Sequence, residues 1–290
     1  MTITSKQSST RRAEPGRIRA LALDLDGTIL GPGAVLSDRT IRAVKACAER
    51  GIQAIIATGR AILSAEPYRL ALGLEGPMIY FNGAIVADPG KGTYLSTTLL
   101  DLKAAEVCLA LSRELGVYNQ VFFPGFEGRP EIHFITEKDR EEREQYFKRA
   151  AIRAELGNLE EALARPGLPG CVKSMFLAEP EICAVIRSRL EAQLGSSVYI
   201  AQTQRNFLEV MDAQVSKGYG LKKVMDFHSL VPEEVLAFGD EENDLPMFQA
   251  AGFSLAPLSA KEEVKAAADH LIGSHEEEGA AAFLEEFFSL

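Results

Sequence analysis

The sequence predicts an α/β protein: a doubly wound parallel sheet with an α+β domain inserted into it. Three observations carry that expectation. Nearly unbroken apolar runs at 17–26, 52–57, 78–81 and 235–238 read as strands buried on both faces. Helical stretches follow the first two, the rhythm of parallel strands joined by right-handed crossovers. Before the last run lies a long region of mixed helix and strand patterning, enough for a domain of its own.

The first strand, 17–26, carries Ile18, Ala20, Leu21, Ala22, Leu23 and Leu25 and ends abruptly in Asp24-Leu25-Asp26-Gly27-Thr28. Ser37 or Asp38 can cap the next helix, which places Ile41, Val44, Cys47 and Ala48 on one side and stops at Gly51. Strand 52–57 again ends in a polar cluster, Thr58-Gly59-Arg60. A helical stretch leads to Gly76-Pro77, and strand 78–81 ends in Asn82-Gly83. These pieces make a βαβαβ run, so the core is expected to be Rossmann-like with parallel strands.

Residues 84–99 alternate weakly around Pro89-Gly90-Lys91-Gly92, the pattern of a hairpin. Beyond it, helices are expected at 101–115, at 138–156 and after Glu179-Pro180. Strands are expected at 117–123, 131–135, 172–177 and 198–201. The chain then returns to the core pattern with strand 207–211 and helix 216–227, which opens on Ser216-Lys217-Gly218. Strand 235–238 runs into Gly239-Asp240, followed by helix 245–251, strand 253–256 and an amphipathic helix over 276–290. The domain reading is a disordered tail at 1–16, a discontinuous core at 17–87 and 205–290, and an inserted domain at 88–204.

Composition narrows the partners. With 31 Lys+Arg against 41 Asp+Glu the formal charge is −10, which weighs against nucleic acid and anionic membranes. An anion site in such a chain must be built from a few specific residues. The four cysteines, Cys47, Cys108, Cys171 and Cys183, include no CxxC pair, so neither a disulfide framework nor a zinc site is expected. No stretch approaches the ~20 apolar residues of a membrane span, and 1–16 lacks the apolar region of a secretory leader. The expected location is the cytoplasm, as a monomer or homodimer.

Three of the predicted strands deliver polar clusters to their C-terminal ends, where doubly wound sheets bind ligands. Asp24 and Asp26, two residues apart, can project in similar directions. Asp240 adds a third carboxylate, making an all-oxygen site suited to a hard ion, Mg²⁺ above all. Lys217, before Gly218 at a helix start, sets a positive charge beside exposed backbone N–H groups, a good anion site. Carboxylates, a hard cation, a Lys and a Thr hydroxyl together suit phosphoryl chemistry.

The motifs Asp24-Leu25-Asp26-Gly27-Thr28, Ala57-Thr58-Gly59-Arg60, Val215-Ser216-Lys217-Gly218 and Gly239-Asp240-Glu241-Glu242-Asn243-Asp244 resemble the four signatures of the haloacid dehalogenase-like phosphohydrolases. Their order and spacing, with Asn82-Gly83-Ala84 after the third strand, resemble the Cof-type branch, whose cap lies between the second and third motifs. The resemblance runs from about Arg17 to the C-terminus and is weakest across the cap. It implies that Asp24 attacks phosphorus to form an aspartyl-phosphate, and that Asp26 protonates the leaving oxygen and then activates water. It also implies Mg²⁺ held by the side chains of Asp24 and Asp240 and the backbone carbonyl of Asp26. Thr58, the Gly59 backbone and Lys217 would take the phosphoryl oxygens, Asn243 would reach phosphate or substrate, and Asp244 would support Lys217 or the metal shell.

The chain departs from the family pattern at Ala256-Pro257-Leu258 and at His275, both near the expected rim. Three residues stand as candidates for substrate contact. Asn82 reads equally as a site edge or an Asn-Gly turn. Lys173 lies on an otherwise apolar strand. His133 alternates with Arg129 and Glu131 on a face that either meets substrate or is solvated. The expected activity is a phosphatase of a small phosphorylated metabolite, a sugar phosphate or related monoester. The alternatives are a phosphotransferase or phosphomutase sharing the aspartyl-phosphate, and a non-catalytic phospho-Asp or metabolite-binding protein.

Overall fold

The computed structural model describes residues 13–124, 133–150, 152, 154–164 and 170–290. Backbone contacts divide the chain into two compact units. One takes the chain up to Ala54 together with Phe227–Leu290, and the other is Ile55–Asp226.

The first unit is built on a five-stranded sheet in the order His270–Ile272, Phe253–Pro257, Val235–Phe238, Ala20–Leu23, Gln53–Ile56. Its paired strands are parallel: Leu23 lies opposite Phe238, which lies opposite Leu255. The last strand joins through Gln53, whose N–H donates to the Arg19 carbonyl at 2.8 Å. All four residues of Ala20–Leu23 are buried, as an unbroken apolar run in a two-sided sheet requires. Helix Asp38–Glu49 starts at Ser37, whose Oγ accepts from the Thr40 N–H at 3.1 Å, and it buries Val44 and Cys47. It packs on the C-terminal helix Gly279–Phe288, where Arg39 grips Glu285 through Nε and Nη2.

The second unit holds two sheets. The larger has the order Val198–Gln204, Phe207–Asp212, Lys173–Leu177, Tyr118–Phe123, His133–Thr136, Glu155–Leu156, antiparallel except for its last pair. Helices Leu102–Leu115, Leu159–Ala164 and Pro180–Leu194 cover one face around Cys108, Val121, Phe176, Ile186 and Val210. The smaller sheet is Met78–Tyr80, Ile85–Asp88 and Thr93–Thr97, antiparallel throughout.

Several elements differ from expectation. The third apolar run meets the second through a single parallel bridge, Ala57 to Ile79, and otherwise pairs antiparallel with Ile85–Asp88. The cause is local: Asn82 and Gly83 take φ of 55° and 99°, which turns the chain back on itself. The helix expected at 138–156 spans only Glu141–Ala150. Glu155–Leu156 is a short strand, and a further helix, Leu159–Ala164, follows. The Asn158 carboxamide oxygen accepts from the Glu161 N–H at 3.1 Å, so an N-cap residue starts a new helix there. Helix Glu262–Ala267 and strand His270–Ile272 were not expected either, being too short to show periodicity. Among the described residues no helix is long and apolar enough to cross a membrane.

Candidate active site

In the first unit, parallel register places the C-terminal ends of Ala20–Leu23 and Val235–Phe238 side by side. Asp24 follows the first and keeps the ladder, donating its N–H to the Phe238 carbonyl at 3.1 Å. Asp240 follows the second. The chain turns sharply after each strand. The Leu25 carbonyl accepts from Ile29 and Leu30, and Gly27 adopts φ +79°. A Cβ on Gly27 would fall 2.1 Å from Asp240 Oδ2, so only glycine lets the first loop lie against the second carboxylate.

Asp24, Asp240 and Asp244 bring one carboxylate oxygen each to within 4.8 Å of one another. Asp24 and Asp244 are buried and Asp240 is partly so. Thr28 Oγ1 lies 3.1 Å from Asp24 Oδ2 and 2.9 Å from Asp240 Oδ1, and its one proton serves only one of them at a time. Asp244 Oδ2 accepts from the backbone N–H groups of Asp240 and Glu241, both at 3.0 Å, and so shapes the loop that presents Asp240. Carboxylates at such separations repel by roughly 3 kcal/mol per pair at an effective dielectric near 20. A hard divalent cation offsets that repulsion, and an all-oxygen donor set is the kind it takes. The residues therefore fit a metal ion.

Asp26 is partly buried and its carboxylate lies outside this cluster, whose third member is Asp244. Asn243 sits on the one-turn 3₁₀ segment Glu242–Asp244, half-buried. Lys261 borders the loop, bonded to Glu241 at 2.9 Å and Glu242 at 3.0 Å; these hydrogen bonds raise its pKa. His275, among the rim departures, is within 2.9 Å of Ser259 Oγ through Nδ1.

In the second unit three other loops converge. Thr58 is buried, donates its N–H to the Ile79 carbonyl, and accepts at its own carbonyl from the Asn82 N–H at 3.0 Å. A Cβ on Gly59 would come 3.0 Å from Asn82 Oδ1, and one on Gly83 would fall 2.1 Å from the Ser216 carbonyl. Asn82, fully buried, is thus packed between the Thr58-Gly59 turn and the start of helix Lys217–His228. Ser216 Oγ accepts from the Tyr219 N–H at 3.0 Å and caps that helix. Gly220 has no room for a side chain, since its Cβ would fall 2.5 Å from Ile79 Cγ2. Lys217 is 1% exposed. Lys217 thus sets a buried ammonium at a capped helix start, the kind of place where backbone N–H groups and a positive charge suit an anion. Arg60 instead lies over the Tyr68 ring at 5.0 Å.

Of the residues proposed for substrate contact, Lys173 is 2% exposed and donates from Nζ to Glu209 Oε1 at 2.8 Å. The same Nζ stands 4.4 Å from the Phe122 ring centre and 5.0 Å from that of Phe81, the neighbour of Asn82. His133 begins the strand His133–Thr136, opposite Phe123. Arg129 and Glu131 lie outside the described residues. Two residues escaped the reading of the sequence. Thr28 is the hydroxyl between the two carboxylates, and its place after Asp-Gly was the available signal. Glu209 partners Lys173 across 36 residues, and a lone acid in an apolar strand was its only sign.

Residues 21–284 match the family model of the haloacid dehalogenase-like hydrolases. The chain is 29% identical over 277 residues to a 5-amino-6-(5-phospho-D-ribitylamino)uracil phosphatase of Bacillus subtilis, covering 93% of this chain and 97% of that one. It is 28% identical over 276 residues to a pyridoxal phosphate phosphatase of Escherichia coli, covering 92% and 97%. A haloacid dehalogenase-like hydrolase from Bacteroides thetaiotaomicron superposes with a TM-score of 0.82 at 22% identity, covering 93% of this chain and all of that one, a likeness of fold.

Proposed function

This chain belongs to the haloacid dehalogenase-like hydrolases, and from that premise we propose a Mg²⁺-dependent phosphatase that works through an aspartyl-phosphate on Asp24. It is a phosphoric monoester hydrolase of the kind that acts on small phosphorylated metabolites. The observation that carries the reading is the set of three carboxylates within 4.8 Å at the ends of adjacent parallel strands. The proposal also keeps 88–204 as the cap domain inserted into the core, and the cytoplasm as its place of action.

In this mechanism Asp24 is the nucleophile. Its carboxylate oxygen forms a bond to phosphorus as the bond to the leaving alcohol breaks. Asp26 gives that alcohol oxygen its proton and, once the alcohol has left, takes a proton from the water that hydrolyses the acyl phosphate. Thr58, the Gly59 N–H and Lys217 bind the phosphoryl oxygens and neutralise charge spreading over the equatorial positions, and Asn243 is assigned to phosphate or substrate. Asp24, Asp240 and the Asp26 backbone carbonyl would hold the Mg²⁺, which when bound supplies positive charge to a dianionic substrate. Asp244 keeps the Asp240 loop in shape through its two backbone hydrogen bonds. Asn82 positions the Thr58-Gly59 turn, while Lys173 and His133 are assigned to the leaving-group side.

The test is phosphate release from an aryl phosphate and a panel of phosphorylated metabolites, with and without chelator. Turnover that resists EDTA would overturn the metal assignment. Transfer of the phosphoryl group to an added alcohol in preference to water would make the enzyme a phosphotransferase.

A further inference from the structure

At the exit of the third apolar run three consecutive residues, Phe81, Asn82 and Gly83, have φ of 49°, 55° and 99°. Glycine adopts such values freely and Asn tolerates them, but a bulky aromatic residue rarely does. The main-chain hydrogen bonds of this segment show what the conformation carries. The Phe81 N–H donates to the Arg60 carbonyl at 3.1 Å and the Asn82 N–H to the Thr58 carbonyl at 3.0 Å. The Thr58 N–H in turn donates to the Ile79 carbonyl at 2.9 Å. The Thr58-Gly59-Arg60 turn is therefore fastened to this run at three points. On its other side Gly83 packs against helix Lys217–His228, so closely that a Cβ on Gly220 would lie 3.2 Å from the Gly83 Cα.

The Phe81 side chain is fully buried, and the six-stranded sheet holds its ring. That ring meets the Phe122 ring edge-on, with centres 5.7 Å apart and 69° between the planes. Lys173 Nζ stands 5.0 Å from the Phe81 centre and 4.4 Å from that of Phe122, distances at which a ring attracts an ammonium. Glu209 Oε1 accepts from the same Nζ at 2.8 Å, and both charged side chains are buried. Phe122 lies opposite Lys173 on the neighbouring strand, and Glu209 stands on the strand at the other side of Lys173. A buried ion pair adds little stability over apolar packing of the same volume. Here it fixes a position, because Lys173 is drawn to Glu209 and to two rings at once.

We propose that Phe81 is a positioning residue: Phe122 and the Lys173–Glu209 pair seat its ring, and the seated ring holds residues 81–83 in the left-handed conformation that fastens the Thr58-Gly59 turn. The inference rests on the reading that Thr58, the Gly59 N–H and Lys217 bind the phosphoryl group, and it deepens that reading by naming what keeps the turn in shape. It does not depend on the leaving-group assignment of Lys173. Phe81 touches no substrate in this role; the contacts of its ring offset the backbone cost at its own φ. Thr58 and Gly59 are assigned to oxygens that every phosphomonoester shares. Loss of the anchor therefore weakens inorganic phosphate and all substrates alike, whatever the leaving group.

The measurement is the inhibition constant of inorganic phosphate against aryl phosphate turnover with Mg²⁺, in the wild type, Phe81→Leu, Phe81→Gly and Lys173→Met/Glu209→Gln. Leucine keeps much of the apolar volume but offers the ammonium no ring. Phosphate binding should weaken about tenfold, the scale of the penalty for one left-handed residue that is not glycine. Glycine incurs no such penalty and needs no anchor, so Phe81→Gly should bind phosphate more tightly than Phe81→Leu. Thermal melts should rank these two in the reverse order, because glycine leaves the larger cavity. The double variant removes both charges together and leaves no lone buried ion. It should weaken phosphate with the sequence of the turn intact, and it tests the inference where a Phe81 variant does not fold. Unchanged phosphate inhibition in Phe81→Leu or in the double variant would overturn the inference. So would a loss that follows the melting order, with glycine weaker than leucine, since the ring would then be core packing alone. A wild type that neither hydrolyses aryl phosphate nor binds inorganic phosphate is a different result. It would remove the phosphate assignment of Thr58, Gly59 and Lys217, and this inference with it.

Discussion

Gly27 lies so close to Asp240 that a Cβ on it would fall 2.1 Å from the carboxylate oxygen Oδ2. Gly27 also holds φ at +79°, a conformation that costs an alanine about 1–2 kcal/mol by itself. The two constraints act on different properties. Gly27→Ala is expected to lower stability by about 1–3 kcal/mol and to displace the Asp240 carboxylate. Affinity for the divalent cation, read from the Mg²⁺ dependence of turnover, should fall at least tenfold. A variant with wild-type Mg²⁺ dependence would separate Asp240 from the metal.

Asp24→Asn removes the proposed nucleophile and one of three clustered charges. Turnover of an aryl phosphate should drop by roughly 10⁴-fold, the scale seen when a group acting in covalent catalysis is lost. With chelator present the variant should melt at or above the wild type, since like-charge repulsion is relieved. Retained turnover would sink the nucleophile assignment.

Cation binding should also appear as stability. A ligand bound only by the folded state at one hundred times its Kd stabilises by about 2.7 kcal/mol. Addition of Mg²⁺ should therefore raise the melting temperature of the wild type and not that of Asp240→Asn. Equal shifts in both proteins would place the ion elsewhere.

Lys217→Met keeps the length of a 1% exposed side chain and removes its charge. Removing one side of a buried charge interaction costs stability as well, so activity is compared where both proteins are folded. The expected loss in kcat/KM is about 10²–10³-fold, with weaker inhibition by inorganic phosphate. A drop in melting temperature without a kinetic effect would make Lys217 structural.

The cysteines give a pH dependence. Burial pushes the thiol of Cys47 up from 9.0 to about 11, and those of Cys108 and Cys171 to about 12. The folded state holds these protons more tightly than the unfolded state, so their contribution is complete below pH 9.0. It is lost as pH rises from 9.0 towards about 11–12, by as much as ~1.4 kcal/mol per pH unit for each thiol. Urea unfolding at pH 8 and pH 10 should show lower stability at the higher pH, with the native thiols unreactive to alkylation at pH 8. A flat profile would contradict the burial argument.

Much of the core could be read from the chain alone. An apolar run such as 17–26 can be satisfied only between two layers, and its abrupt ending in Asp24-Leu25-Asp26 marks the sheet edge. The Ser37 cap and the Gly51 stop are local signals, and helix Asp38–Glu49 follows them closely. Local signals were weaker in the inserted region. The apolar and charged pattern over 138–156 suits a helix throughout, yet pairing with strand His133–Thr136 draws Glu155–Leu156 into a sheet. Asn82 shows the same limit: an Asn-Gly pair specifies a turn, but not that the turn is buried against Thr58 and Gly59.

By itself the sequence determined the α/β class and the four polar clusters whose residue types suit phosphoryl chemistry, because strand periodicity, caps and turn residues act over a few positions. Tertiary structure alone decided which carboxylates meet: Asp244, 220 positions from Asp24 by number (244 − 24), enters the cluster through the turn after Val235–Phe238. It alone also set Lys173 against Glu209 and the Phe81 ring. Strand register and loop packing are long-range outcomes of burying apolar surface, and no window of neighbouring residues carries that information.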